Sequence, residues 1–199
     1  MAASSKKIAG IILAAGSGVR MDKTKQLLPF KSKPLLSHVI ENARQSNLYE
    51  IIVVLGHSAD EIKNTIDFSG TKTVINSKYL KGQSTSLIKG LENISPVCDA
   101  AMFLLGDQPL ITPSTLNTII QAFITSKSPI TIPYYNNIRG NPVIIAKSLF
   151  HELKLLSGDT GPRILFKKFH KSILKVQISD NAITVDVDTK ADYDKLISK

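Results

Sequence analysis

Three short apolar runs, at residues 8–13, 51–55 and 100–105, constrain this chain most, because each has strand length and each precedes a stretch whose apolar residues recur with helical period. Such alternation reads as β–α units around a largely parallel sheet. The run at 100–105, AAMFLL, is the most continuous, as expected for a central strand covered on both faces. Between the first two runs, Pro34 opens a helix whose stripe is Leu35, Leu36, Val39, Ile40 and Ala43. Ser58 and Glu61 fit a capping box for a helix ending near residue 66, and a strand is expected over 71–75. Residues 82–86 read as a small, hydroxyl-rich loop ahead of a helix with Leu87, Ile88 and Leu91 on its apolar side. Thr112 and Pro113 open a helix running to Phe123, and strands follow over 130–133 and 142–146. Helices over 149–155 and 162–169, then a strand over 173–178, complete the series. A last strand is expected over 183–188, whose alternation puts Asp186 and Asp188 on one face.

With 199 residues, 43% of them hydrophobic, the chain suits one well-cored domain over 1–199, with residues 1–6 expected to be disordered. Lys6 and Lys7 ahead of an apolar run resemble a signal peptide, but the run sits at the short limit for one, and no disulfide framework follows. The single cysteine, Cys98, lies in apolar surroundings and reads as a small buried hydrophobe; a reducing, cytoplasmic location is expected. No stretch reaches the roughly 20 apolar residues of a membrane helix. A net charge of +9 favours an anionic partner. Nucleic acid is disfavoured: aromatics are only 6%, and the densest basic stretch, 167–171, lacks the stacking pattern of single-strand binders.

In open α/β sheets ligands gather at the carboxyl ends of the strands, and there the sequence concentrates its unusual loops. The first strand empties into residues 14–21, AAGSGVRM, with Lys25 beyond: small residues let backbone N–H groups approach phosphate oxygens, and Arg20 and Lys25 supply charge. Neither the P-loop signature nor the dinucleotide-binding fingerprint fits its glycines. Asp107 follows six apolar residues and a glycine, which delivers one carboxylate to the sheet rim. It suits Mg²⁺, a hard cation held by one or two carboxylates plus substrate phosphates, with Asp186 or Asp188 as the second ligand. Alternatively, Asp107 forms a turn before Pro109 and Asp188 caps the final helix. His57, at a strand end, is a candidate ligand contact, and His38 a structural histidine. Arg139 and Asn141 at a strand entrance, and the turn Gly158 to Arg163 before a helix, read as a second, anion-binding surface.

Taken together, LAAGSGVRM, residues 25–29 (KQLLP), GQSTSL, LLGDQP, RGNPV, GDTGPR and DVDTKADY resemble the molybdenum cofactor cytidylyltransferases, within the wider group similar to the molybdenum cofactor guanylyltransferase, across residues 8–196. That resemblance implies a single Rossmann-like domain, a three-layer α/β/α sandwich with a mostly parallel sheet of the nucleotide-diphospho-sugar transferase type. It implies transfer of CMP from CTP to the terminal phosphate of molybdopterin, with Mg²⁺ and release of pyrophosphate, and transient contact with molybdoenzyme maturation proteins. By resemblance, Leu13, Ala14, Ala15 and Gly16 hold the base and ribose, and Gly16, Ser17, Gly18, Arg20 and Lys25 the triphosphate. Gly56, Gly82, Ser84 and Ser86 help enclose the nucleoside, and Asp107, Asp186 and Asp188 hold the metal. Arg139, Asn141, Gly158, Asp159, Gly161 and Arg163 face the acceptor. Ala15 points to CTP, since guanylyl members typically show LAGG, and GTP or a sugar- or alcohol-phosphate acceptor is the alternative. Two departures stand out: Asp22 beside the phosphate loop where a glycine is usual, and Lys190-Ala191 in the last motif, which is expected to weaken the final helix start. A protein that carries a pterin cofactor or nucleotide without turnover is the non-enzymatic alternative.

Overall fold

The computed structural model describes residues 6–16 and 24–198. In chain order its elements are β1 (Ile8–Ala14), β2 (Pro29–Phe30), β3 (Lys33–Pro34), α1 (Leu35–Arg44), β4 (Glu50–Leu55), α2 (Ala59–Thr65), β5 (Lys72–Ile75), α3 (Gln83–Leu91) and β6 (Ala100–Leu105). There follow α4 (Pro113–Thr125), β7 (Ile130–Tyr135), β8 (Ile138–Arg139), β9 (Val143–Ala146), α5 (Phe150–Lys154), α6 (Ile164–Lys168), β10 (Ile173–Gln177) and α7 (Lys190–Ile197). The main sheet runs β10-β7-β9-β6-β1-β4-β5, with β8 appended to β7, while β2 and β3 form a separate hairpin. Pairing is parallel throughout β6-β1-β4-β5 and at β10-β7. Within the main sheet, among the described residues, only β9 and the short β8 run against their neighbours.

Period-two alternation sorts the strands' side chains onto two faces. Ile8, Ile12, Ile51, Val53, Leu55, Met102 and Leu104 pack on one side with Leu36, Val39 and Ile40 of α1, Ile62 of α2 and Leu116, Ile119 and Phe123 of α4. Ile11, Ile52, Val54 and Phe103 pack on the other with Leu87 and Leu91 of α3, Leu153 of α5 and Leu165 of α6. The chain is therefore a single α/β domain with its sheet between two helical layers, and the stripe read for α1 is its buried face. β6 lies mid-sheet, as its unbroken apolar run requires.

Several local expectations are corrected. The Ser58 capping box does not form: Ser58 is left-handed at φ 51°, and the Glu61 carboxylate instead accepts from Thr24 Oγ1 at 2.8 Å. Residues 83–86 are not loop, because α3 starts at Gln83. Residues 183–188 are not a strand; a 3-10 turn, Asn181–Thr184, takes up Ile183, whose carbonyl accepts from Asn141 N. The final helix start is intact, since Thr189 and Asp192 form a reciprocal capping box that Lys190 and Ala191 do not disturb. Lys6, expected within the disordered leader, donates through Nζ to the Ser126 carbonyl at 2.8 Å. Among the described residues no helix is long and apolar enough to cross a membrane.

Cys98 and His38 have structural partners. Cys98 is 1% exposed and its Sγ donates to Glu50 Oε1; burial, then the Glu50 hydrogen bond and charge, push the thiol up to about 12, which removes it as a nucleophile. The His38 ring nitrogen Nε2 lies 2.6 Å from the Phe30 carbonyl.

Candidate functional site

Because β1, β4 and β6 are parallel, their carboxyl ends open on one edge, with Leu13 opposite Leu105 and Ala14 opposite Leu55. The chain crosses from the β4-β5 side of β1 to its β6 side here, the reversal at which open α/β sheets form a crevice. A cleft of about 730 Å³ occupies that place, a size ordinary for a small-molecule site.

Residues Leu13, Ala14, Ala15 and Gly16 form its floor. Their carbonyls are already spoken for: Leu13 O accepts from Gly106 N, Ala15 O from His57 N, and both Ala14 O and Gly16 O from Gln26 Nε2, at 3.0 and 3.1 Å. Gln26 is only 5% exposed, so this side chain fixes the path of the loop from inside. Gly56 does not line the cleft; it lies behind the floor, where a Cβ would come within 2.8 Å of the Ala15 carbonyl oxygen. His57 is likewise behind it, edge-on to Tyr79.

One side of the cleft is charged. Lys25 Nζ lies 2.6 Å from Asp107 Oδ2 and 3.0 Å from Asp188 Oδ1. Asp186 stands beside them, accepting a short hydrogen bond from Gln108 Nε2. The tail reaches this place because Val187 N donates to the Asp107 carbonyl and the Val187 side chain is fully buried among Leu28, Phe30, Leu35 and Leu196. With Val187 turned inward, the two neighbouring aspartates face the cleft without any strand. Asp188 is free for this because Thr189, not Asp188, caps α7.

Electrostatics follow from the crowding. Burial pushes the Asp186 pKa up, and the charge of Asp107 adds to it. For Lys25, burial works to lower the pKa, but Asp107 and Asp188 outweigh it and hold the ammonium above its ordinary value. Asp107 Oδ1 is buried with no hydrogen-bond partner among the described residues. An orphaned hard oxygen beside two further carboxylates fits a divalent cation. Among those residues no three His, Cys, Asp or Glu side chains are gathered to hold a metal alone, so such an ion would need oxygens from a bound phosphate.

The other side is mostly hydroxyl and backbone, with Asp159 and Arg163 its charged members. Gly82 and Gly158 touch: a Cβ on Gly82 would fall 2.2 Å from the Gly158 carbonyl carbon. Ser84 seals the contact, its Oγ donating to the Gly158 carbonyl at 2.8 Å, which leaves it fully buried and outside the cleft. Asp159 Oδ1 accepts from Gln83 N at the start of α3, and Gly161 gives the Gln83 side chain room. Asp159 and Arg163, assigned by sequence to a separate acceptor surface, line the same cleft as the 13–16 floor. Arg139 and Asn141 do not: the Arg139 guanidinium stacks 5.2 Å above the Phe166 ring. Ser17, Gly18 and Arg20, with Asp22 and Lys23, lie outside the described residues.

Sequence reading gave no role to Gln26, Tyr79 and Leu80, which also line the cleft, whereas Gln83 falls within the 82–86 segment expected to help enclose the nucleoside. Gln26 lies within KQLLP, directly after Lys25, and its burial and its two carbonyl partners appear only in the fold. Leu80, 82% exposed, gave no signal.

The fold and this cleft define an α/β protein whose nucleotide-sized site opens at the strands' carboxyl edge. The chain belongs to the MobA-like NTP transferase domain family, whose profile matches residues 10–173, and so carries a nucleotidyltransferase domain. Asp186 and Asp188 fall beyond the matched span. Its sequence is 38% identical over 116 residues to the bifunctional protein GlmU of Alkaliphilus metalliredigens, covering 57% of this chain and 25% of that one. The chain thus spans about a quarter of the length of the GlmU relatives it matches. Over 92% of both chains it is 24% identical to a nicotine blue oxidoreductase of Paenarthrobacter nicotinovorans. Rv0371c of Mycobacterium tuberculosis H37Rv superposes with a TM-score of 0.89 at 29% identity, covering 98% of this chain and all of that one; it has also been solved in complex with manganese.

Proposed function

We propose that this protein transfers CMP from CTP to the terminal phosphate of molybdopterin or its metal-bound form, releasing pyrophosphate. The observation that carries the reading is the meeting of Lys25, Asp107, Asp186 and Asp188 beside the 13–16 floor, in a cleft at the strands' carboxyl edge. A phosphate oxyanion of the acceptor attacks the α-phosphorus of CTP, the bond from that phosphorus to the β-phosphate bridging oxygen breaks, and its electron pair leaves on pyrophosphate. No general base is needed, so positioning and charge are what the chain supplies.

In this reading Lys25 leaves its carboxylate partners and meets the triphosphate as a point charge. Asp107, with Asp186 or Asp188, would hold Mg²⁺, which when bound neutralises charge on the triphosphate and on the departing pyrophosphate. Gln26 keeps the floor in shape while the nucleotide lies on it. Arg163 and Asp159 meet the ligand from the α3 side, and Arg139 and Asn141 lie beyond the cleft as candidate contacts for the acceptor. The cytidylyl preference rests on Ala15, a contact worth about 1–3 kcal/mol of discrimination. Guanylyl transfer, or transfer to a sugar or alcohol phosphate, is therefore the second reading. The product would be handed to molybdoenzyme maturation proteins in the cytoplasm.

The test is pyrophosphate release with Mg²⁺ and each of CTP, GTP, UTP and ATP, against molybdopterin and a panel of sugar phosphates. CTP with molybdopterin should be fastest; release only with another pair overturns the assignment. Pterin binding without turnover by any pair would establish a carrier instead.

A further inference from the structure

Three consecutive hydroxyls, Ser84, Thr85 and Ser86, open α3, and they are not equivalent. Ser84 donates its proton to the Gly158 carbonyl at 2.8 Å. Thr85 Oγ1 lies within donating distance of the carbonyls of Gly82, at 2.9 Å, and Lys78, at 3.1 Å. Ser86 Oγ has no acceptor for its proton among the described residues, and Ser86 is the one of the three that lines the cleft.

What Ser86 Oγ does have is a donor. Asn76 Nδ2 reaches Ser86 Oγ at 2.9 Å and Thr85 Oγ1 at 2.8 Å, which uses both amide hydrogens, while Asn76 Oδ1 accepts from Lys78 N at 3.0 Å. A backbone N–H can only donate, so the amide has one orientation and cannot flip. Asn76 itself is 4% exposed, does not line the cleft, and is pinned at the end of β5 by its own N–H to the Leu55 carbonyl at 2.7 Å. Every polar atom of its side chain is engaged.

We infer that Asn76 is a positioning residue that makes Ser86 a donor toward the cleft, so that the atom of the bound nucleotide meeting Ser86 is one that carries a lone pair. With one Oγ lone pair taken by the Asn76 amide and no acceptor for the proton among the described residues, the Ser86 hydroxyl is fully satisfied only when the ligand accepts from it. A ring nitrogen or carbonyl oxygen satisfies it; a ring N–H at the same point takes the remaining lone pair instead and leaves the hydroxyl proton without an acceptor. Ser86 thereby discriminates among bases by hydrogen-bond polarity, with Asn76 setting the sign. This rests on the reading that a nucleoside triphosphate occupies the cleft.

A double-mutant cycle measured by calorimetric titration with Mg²⁺ and CTP, GTP, UTP or ATP tests it. Ser86→Ala should weaken binding of the preferred nucleotide about tenfold, the scale of one lost hydrogen bond. Asn76→Asp keeps the shape but replaces the donor with an acceptor that captures the Ser86 proton, and should weaken binding at least as much. In the Ser86→Ala background, Asn76→Asp or Asn76→Ala should add almost nothing. A purely structural role for Asn76 would instead carry its full loss into that background, which overturns the proposal, as does a Ser86→Ala protein that binds like the parent. If the Asn76 variants melt too low to titrate, the Ser86→Ala comparison across the four nucleotides decides alone: an equal loss for all four overturns base discrimination. Failure of the parent protein to bind any of the four refutes the nucleotide reading itself.

Discussion

On its β6 side the cleft sets the Lys25 ammonium between Asp107 and Asp188 with Asp186 beside them, whereas on its α3 side a serine hydroxyl, the backbone of Gly82 and the Gln83 side chain face the opening together with Asp159 and Arg163. The first side is held by ion pairs whose members are interchangeable with a ligand's charges: an incoming phosphate can replace the carboxylates at Lys25, and a cation can replace Lys25 at the carboxylates. The second is held by backbone contact at Gly82 and Gly158 and by hydrogen bonds to backbone groups, at the Gly158 carbonyl and at Gln83 N, whose partners a ligand's charges do not replace. One side is thus suited to handling charge that changes during a reaction, and the other to keeping a fixed shape.

The contrast can be broken by single substitutions. Asp107→Ala should have the largest effect, a fall in pyrophosphate release of roughly 100- to 1,000-fold, the scale on which one preorganised electrostatic group acts. A loss of less than tenfold would show that the charged side does not carry the chemistry. Gly82→Ala attacks the fixed side. Gly82 has φ +104° and ψ 167°, a region essentially closed to other residues, and the new Cβ collides with Gly158, so unfolding in urea should show a loss of about 1–3 kcal/mol from the backbone conformation alone.

Lys25→Met should raise the KM for the nucleotide and also change the pH dependence of stability. Since the folded Lys25 pKa lies above the ordinary 10.5, the ion pairs stabilise the protein fully below that pH, and their contribution disappears as pH rises through the folded value. The parent and the variant should therefore differ in Tm at pH 8 and converge in strong alkali; a gap independent of pH would mean that Lys25 acts through packing. The smallest effect is expected for Asp159→Asn, which weakens one long hydrogen bond, 3.4 Å, to the start of α3. Less than about 1 kcal/mol should be lost, the lower range for a helix cap, read from the melting temperature.

Much of this architecture was legible because strands and helices leave periods of two and 3.6 in the sequence. The α1 stripe and the central β6 run needed nothing more. The errors fall where a local signal meets a distant competitor. Ser58 and Glu61 have capping-box spacing, but Thr24 takes the Glu61 carboxylate. The alternation of Asp186 and Asp188 correctly places both on one side, though the segment is extended chain anchored by Val187 rather than a strand. Gln26 went unread because its two carbonyl partners, at Ala14 and Gly16, are brought to it only by the folded loop.

By itself the sequence determined which residues face the core and which loops reach the carboxyl edge, because those depend on periodicity and strand direction alone. Only the tertiary structure decided that Lys25 sits between Asp107, 82 positions away, and Asp188, 163 away. It also decided that Gly82 and Gly158 close one wall, and that Asn76 commits a lone pair of Ser86. Each of these is a hydrogen bond or close approach between segments remote in the chain, and the energy of such a contact depends on distance and burial, which no local pattern encodes.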